Sequence, residues 1–305
     1  MIRTFSEIPS NQRHRVAAVP GGEDQNTLLA LESCRVSDNL TSLLIGNPER
    51  IMRTLRELSF DPAHYRVLDS RGNEAMTREA LRACDRGEAD ILVKGMVNSP
   101  SFLAAILAHN KEKGHNTLIN QVWIFENIRS GKLLVLSDGA LIIAPDLSEK
   151  VKIIANCVAF CRAMGISEPK VAVLAPLEKV NPRIPSTVDA ACLSVMNQRG
   201  QIPNCLVEGP LALDNAISPE AMELKSIQGK FNGHPDILIV PDLDAGNILG
   251  KSLVYFAGFR TASLLWGSAY PTALPSRSGT PDSKASSIRF ALYVANQKQE
   301  GESLG

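Results

Sequence analysis

Residues 89–99 read Ala89-Asp90-Ile91-Leu92-Val93-Lys94-Gly95-Met96-Val97-Asn98-Ser99. The run 90–93 is a short apolar strand signal, Lys94-Gly95 ends it, and Asn98 or Ser99 can cap the helix that begins near Ser99. A strand that passes through a glycine-bearing turn into a helix N-terminus is the repeating half of a βαβ unit. The same reading extends both ways. Upstream, strands at 15–19, 42–45 and 65–68 alternate with helices at 23–36, 48–58 and 73–86, with Pro48 at a first helical position. Downstream, helices at 147–164, 185–199, 219–225, 246–256 and 281–294 alternate with strands at 170–175, 204–207, 236–240 and 261–265. The pattern predicts an α/β fold with mostly parallel sheets and right-handed crossovers. One break interrupts it. The apolar runs 122–125 and 133–136 are separated only by 126–132, a hairpin signal, and this sole adjacent strand pair reads as the seam between two α/β lobes. A cleft between lobes is a common place for a ligand.

The 305 residues suffice for two domains, and 44% hydrophobic with 21% charged residues is globular composition. Lys plus Arg and Asp plus Glu number 32 each, so the formal net charge is zero. That argues against a whole-surface field for nucleic acid and against a polybasic membrane anchor. Residues 1–15 lack the apolar core of a secretory signal. Arg260 breaks the apolar stretch 252–267 and Asp138-Gly139 breaks 133–144, leaving no clean membrane span. Cys34, Cys84, Cys157, Cys161, Cys192 and Cys205 are scattered and form no CxxC pair, so neither a disulfide framework nor a zinc site is signalled and a reducing cytoplasm is expected. No histidine lies at metal spacing; His109 and His115 flank a Lys-rich stretch and read as solvated. The polar tail 297–305 reads as frayed.

Ligand sites in open α/β sheets lie outside the carboxyl ends of the strands, so five post-strand loops are candidates: 94–99, 137–140, 208–214, 241–247 and 275–280. Lys94-Gly95 with Asn98-Ser99 offers close backbone approach, a cap and free amides, which suit an anion such as phosphate or plain N-capping. Ser276-Arg277 offers a hydroxyl and a planar guanidinium fork, or else a capped turn with a solvated Arg. Residues 245–252 end in Gly250-Lys251-Ser252 as a P-loop does, but Ala245 stands where its first glycine belongs, so the stretch reads as a Gly-rich turn with Asn247 at a helix start. Gly21-Gly22 is only a turn, with no GxGxxG after the first strand. No GxSxG elbow is present.

Several segments together resemble the phosphate acetyltransferase and phosphate butyryltransferase family, the butyryl branch more closely. They are 89–98, Ile143-Ala144-Pro145-Asp146-Leu147, Val180-Asn181-Pro182, Gly209-Pro210-Leu211-Ala212-Leu213-Asp214-Asn215-Ala216, Pro241-Asp242 with Ala245-Gly246-Asn247, Lys251-Ser252-Leu253-Val254-Tyr255-Phe256-Ala257-Gly258, and Ser276-Arg277. The resemblance runs over nearly the whole chain. It implies two α/β lobes with an interlobe cleft, similar to the isocitrate/isopropylmalate dehydrogenase fold. It also implies a C-terminal return, giving residues 1–138 plus 271–305 as one lobe and 139–270 as the other. The implied reaction is reversible acyl transfer between coenzyme A and inorganic phosphate through a ternary complex, with acyl-CoA and phosphate as substrates and no tightly bound cofactor or metal. The resemblance further implies a homo-oligomer, at least a dimer, without nucleic-acid or membrane partners.

For that reaction Lys94 and Arg277 are expected to carry phosphate charge. Ser276, Asn98 and Ser99 would supply hydrogen bonds to phosphate or the oxyanion, with Asn247 and loop amides as further donors. Gly95 allows the approach, and Asp138 and Asp242 line substrate loops. Asp282 or Asp242 would be the base, because the acetyl branch has an Asp where Ser283 stands and the butyryl branch an acidic residue matched by Asp282. Gly279, Ala269-Tyr270, Gln121 and Ile142 depart from polar family positions and point to a longer or less polar acyl group, or to weak activity. Two alternatives remain at this stage. One is a metal- and nicotinamide-dependent dehydrogenase using Asp138, Asp242 and Asp244; the other is a degenerate member that binds CoA or acyl phosphate without turnover.

Overall fold

In chain order the elements are β1 (Arg15–Pro20), α1 (Gln25–Asp38), β2 (Leu40–Gly46), α2 (Pro48–Glu57), β3 (Tyr65–Asp69), α3 (Asn73–Asp85), β4 (Ile91–Val93) and α4 (Ser99–Glu112). There follow β5 (Asn120–Asn127), β6 (Lys132–Ser137), α5 (Leu147–Ala163), β7 (Lys170–Leu174), α6 (Pro185–Gln198), β8 (Leu206–Leu211), α7 (Leu213–Ile217), α8 (Pro219–Leu224), β9 (Ile237–Ile239) and α9 (Leu243–Tyr255). The chain closes with β10 (Arg260–Trp266), β11 (Thr272–Ala273) and α10 (Pro281–Gln299). The structure, a computed structural model, describes residues 1–127, 131–227 and 229–299. Capping chemistry sets many of the starts. Asp24, Asn47 and Asn98 accept backbone N–H groups at the heads of α1, α2 and α4, and Asp146 with Glu149 forms a reciprocal box at α5.

Among the described residues the elements gather into two compact units, Phe5–Ile119 with residues 261–299, and Asn120–Arg260 with Met1–Thr4. The boundaries expected at 138/139 and 270/271 therefore fall at 119/120 and 260/261. Pairing explains the shift. β5 and β6 form the expected antiparallel hairpin, Trp123 opposite Leu136, and β6 pairs in parallel with β9, which keeps the whole hairpin in the second unit. β10 pairs with β11, and β11 with β4, which draws 261–270 into the first.

Strands of the first unit run in the order β3-β2-β1-β4-β11-β10, parallel except for β10 against β11. In the second unit the order is β5-β6-β9-β7-β8, parallel except for the hairpin. All three residues of β4 are buried, which explains its uninterrupted apolar sequence. Arg15, at the start of β1, bonds Asp90 at 2.8 Å and Asn296 at 2.9 Å, fastening the last helix to the first strand. Phe5 meets Phe290 edge-on at 5.4 Å, and Cys34 of α1 packs on Ala285 of α10.

Several local expectations are corrected. β11 is a second adjacent antiparallel strand, two residues long and closed in by Pro271 and Pro275, too short to show a period. β8 extends through Leu211, so Glu208–Leu211 is strand rather than loop, with a cis Gly209–Pro210 bond. α7 is likewise additional. α9 begins at Leu243 and not at Gly246, because Asp242 caps the amide of Ala245. Gly246 and Gly250 are thus helix-interior residues four apart on one face. A Cβ on Gly246 would meet the Asp138 carbonyl, and one on Gly250 the ring of Trp123. The P-loop-like spacing is a packing face. His109 is buried, not solvated, with Nε2 at 3.1 Å from the Asp85 carboxylate, which also accepts from the Tyr270 hydroxyl at 2.7 Å. α10 continues past Gln297 to Gln299; the expected frayed tail from 300 onward lies outside the described residues. Among the described residues no helix is long and apolar enough to cross a membrane.

Gly250→Ala is expected to lower the free energy of urea unfolding by about 2 kcal/mol, because the added methyl must displace Trp123. Lys251→Ala, at an exposed position, should stay within about 0.5 kcal/mol. Equal, small effects of the two would contradict the packing role.

Candidate active site

β1 lies between β2 and β4, so the chain departs from β1 to one side and returns on the other. Such a switch in strand order leaves a crevice at the carboxyl ends of the two strands. Two loops meet there backbone to backbone. The amide of Gly95 donates to Pro20 O at 3.1 Å, and that of Met96 to Gly21 O at 2.8 Å. A Cβ on Gly21, whose φ is +72°, would lie 2.6 Å from Met96 N, and one on Gly95 would strike Gly21 O. Gly21 is therefore part of the site's frame and more than a turn.

This contact seats Lys94 at 2% exposure. Its backbone amide donates to Ala273 O, but among the described residues its ammonium has no hydrogen bond or ion pair. Burial, then the charges of Lys284 and Arg277, push its pKa down to about 8, with Asp24 acting the other way. Asp24 cannot serve as a full counter-ion. Its Oδ2 accepts from Thr27 N at 2.9 Å and from the Thr27 hydroxyl at 2.5 Å, and lies 3.3 Å from Lys284 Nζ. Lys284, 1% exposed, also donates to Ser276 O at 3.1 Å. The Ser276 carbonyl further accepts the amide of Gly279, and Asn26 donates to Gly279 O. The turn so held leaves Ser276, Arg277 and Ser278 exposed, the two hydroxyls 3.1 Å apart.

Nearby, Asn98 spends its side-chain oxygen on Ser101 N, while its backbone amide donates to Asn73. Ser99 is exposed at the first position of α4. The structure thus gathers Lys94, Gly95, Ser276 and Arg277 at one crevice of the first unit, with Asn98 and Ser99 on the adjoining loop. It does not bring Asp282 in. Residues two positions apart on a helix lie about 200° apart around the axis, so Asp282 points away from Lys284, and its charge is felt by Arg289 instead.

The second unit holds the other candidates in framework roles. Asp138 is 3% exposed; Oδ1 accepts the amides of Ala140 and Leu141, and Oδ2 that of Gln121. Burial outweighs these donors and leaves its carboxyl above its ordinary pKa. Asp242 caps α9, and Asn247 donates to Gly139 O at 2.9 Å, tying α9 to the Asp138 loop. Among the described residues no group of three or more His, Cys, Asp or Glu is arranged to hold a metal ion.

Sequence reasoning missed Lys284 and Asp24. A signal was available: Lys284 falls on the stripe of Ile288, Ala291 and Leu292, four, seven and eight residues on, where a lysine is out of place unless fixed. Three cations and one carboxylate already in use make a site suited to a dianion with several oxygens, and phosphate is the simplest such group.

The family described as phosphate acetyl/butaryl transferase matches residues 78–291. The phosphate butyryltransferase of Clostridium beijerinckii is 36% identical over 300 residues, covering 97% of this chain and 99% of that protein. A branched-chain phosphotransacylase from Enterococcus faecalis superposes with a TM-score of 0.80 at 28% identity, covering 92% of this chain and 99% of that one. The 4-hydroxythreonine-4-phosphate dehydrogenase of Klebsiella pneumoniae, 14% identical, superposes at 0.52 over 93% of this chain and all of that one, and shows the shared dehydrogenase-type fold.

Inorganic phosphate is expected to raise the melting temperature, because it supplies the anion that Lys94 lacks. Lys94→Met should abolish that rise. Without phosphate at pH 7 the variant should be the more stable protein, by up to about 3 kcal/mol, since a lysine held near pKa 8 carries its burial cost wherever it is charged. This gain should shrink as the pH climbs through about 8 towards the ordinary lysine range. Scanning calorimetry at several pH values measures both, and an unchanged phosphate response in the variant would remove Lys94 from the site.

Proposed function

Since the chain belongs to the phosphate acetyl/butyryl transferase family, acyltransferases that move an acyl group reversibly between coenzyme A and inorganic phosphate, we propose that its acyl group is short and butyryl-like or branched, and that phosphate binds at the Lys94–Arg277 crevice. The observation that carries the phosphate assignment is the buried Lys94, whose ammonium has no hydrogen bond or ion pair among the described residues. The named relatives, a butyryltransferase and a branched-chain phosphotransacylase, support the acyl assignment.

In this reading Lys94 and Arg277 neutralise phosphate, and Ser276, Asn98 and Ser99 donate to its oxygens or to the carbonyl oxygen as it becomes an oxyanion. A phosphate oxygen attacks the thioester carbonyl. The tetrahedral species collapses with cleavage of the carbon–sulfur bond, the proton of hydrogen phosphate ends on the CoA sulfur, and acyl phosphate remains. No covalent enzyme intermediate is required, so catalysis rests on positioning and on fixed charge. Gly95 contributes close approach. Asp138, Asp242 and Asn247 contribute the loop framework of the second unit, and Asp282, turned towards Arg289, is not assigned as base.

The protein is proposed to act as a homo-oligomer. The exposed apolar residues Ile248, Tyr255 and Phe256 along α9, 67%, 66% and 91% exposed, support association of the second units. The six free cysteines fit a reducing cytoplasm.

Purified protein with butyryl-CoA and phosphate should release free thiol, and a panel of acetyl, butyryl and branched acyl-CoA should rank butyryl or branched substrates first. Arg277→Ala is expected to raise the KM for phosphate at least tenfold while leaving that for acyl-CoA within about twofold. The phosphate kcat/KM should fall as the pH rises through about 8, where Lys94 loses its charge. No thiol release across the panel, or an unaltered phosphate KM, would refute the assignment concerned.

A further inference from the structure

Residues 276–278 form an exposed turn, and an exposed turn presents a guanidinium and a hydroxyl in many orientations unless something holds it. Here the hold comes from beneath. Lys284 is 1% exposed on the buried stripe of α10, and its ammonium joins two partners 252 residues apart in sequence, the Ser276 carbonyl at 3.1 Å and the Asp24 carboxylate at 3.3 Å. Asp24 is fixed in turn by the amide and hydroxyl of Thr27 at the head of α1. The bridge therefore fastens the turn carrying Arg277 to the loop that follows β1, beside the Gly21–Met96 contact that seats Lys94. The charged groups acting on Lys94 are Lys284 from α10, Arg277 from the turn before it, and Asp24 from the β1–α1 loop.

We propose that Lys284 is the positioning residue of the phosphate site: by bridging Ser276 O to Asp24 it fixes the turn that presents Ser276 and Arg277, and it adds a second positive charge to the field at Lys94. This rests on the reading of the crevice as the phosphate site. Lys284 itself need not touch phosphate, since its ammonium is already used by two protein oxygens and lies below the turn.

The two halves of the role separate in paired variants. Lys284→Met removes both the bridge and a positive charge. Phosphate KM should rise at least tenfold while acyl-CoA KM stays within about twofold, and the basic limb of the phosphate kcat/KM profile should move to higher pH, because Lys94 keeps its proton longer. Asp24→Asn keeps the cap on α1, asparagine being as good an N-cap as aspartate, but removes the negative partner. Phosphate KM should rise again, and the basic limb should move to lower pH. If Lys284→Met does not fold, Asp24→Asn and Lys284→Arg carry the test; the Arg variant should retain the position of the limb. Opposite displacements of the limb at matched phosphate defects support the proposal, since a merely structural role would leave the limb in place. An unchanged phosphate KM in both Lys284→Met and Asp24→Asn, or displacements in the same direction, would overturn it. Absence of phosphate-dependent thiol release by the unmodified protein would instead overturn the reading of the crevice, and this inference with it.

Discussion

A positive charge sits at the end of a fully buried strand without a counter-charge of its own, and the first unit is arranged around it. Lys94 leaves the fully buried β4 and is itself 2% exposed. Burial of an unpaired ammonium is costly, and proteins ordinarily avoid it with a carboxylate partner. The carboxylate that acts on Lys94, Asp24, is already engaged by Thr27 and Lys284. In the proposed phosphate site, the missing negative charge comes from the bound anion.

The topology makes this economical in residues. Asp24, Lys94 and the segment carrying Arg277 and Lys284 stand far apart in sequence and meet because β4 and β11 both lie on the side of β1 opposite β2. Once β11 pairs with β4, Pro275 and the turn after it emerge beside Lys94, and α10 runs back over the sheet to be caught by Arg15 through Asn296. Glycine at 95 and 21 removes the side chains that would hold the two loops apart. The zero net charge of the chain is no obstacle to the proposed site, because what acts on a bound anion is the local arrangement of two buried lysines and an exposed arginine.

Legibility in the sequence followed the same division between local and non-local causes. The strands and helices of both units, the hairpin and the Lys94 and Ser276-Arg277 loops could be read because each depends on a period, a cap or a turn within a few residues. Gly246 and Gly250 misled for the same reason. Their spacing is local, but its cause is the Asp138 carbonyl and Trp123, which belong to the hairpin and the loop after it. β11 is too short to show a period, and its pairing with β4 depends on a strand 180 residues earlier. Asp138, Asp242 and Asn247 have site-like chemistry in a sequence, yet their polar atoms are used on backbone groups only the folded chain brings near. Asp282 looked like a base because it matches an acidic position of the butyryl branch, yet it stands two residues before Lys284 on a helix, an interval that turns the two apart.

Holding unpaired cations in place before the substrate arrives also bears on catalysis. In water, dipoles must reorganise as charge moves from a phosphate oxygen to a carbonyl oxygen and then to sulfur. A turn pinned through Ser276 O and Asp24, and a lysine seated by two glycine contacts, have little left to reorganise, because their positions are set by interactions other than those made with the substrate. The instability stored in Lys94 is then relieved when a dianion binds, and the part of it that answers to charge in the transition state lowers the barrier instead of only tightening the ground state. In the proposed site a better-paired Lys94 would give a more stable protein and poorer phosphate binding, which is consistent with Asp24 being tied to Lys284 and Thr27.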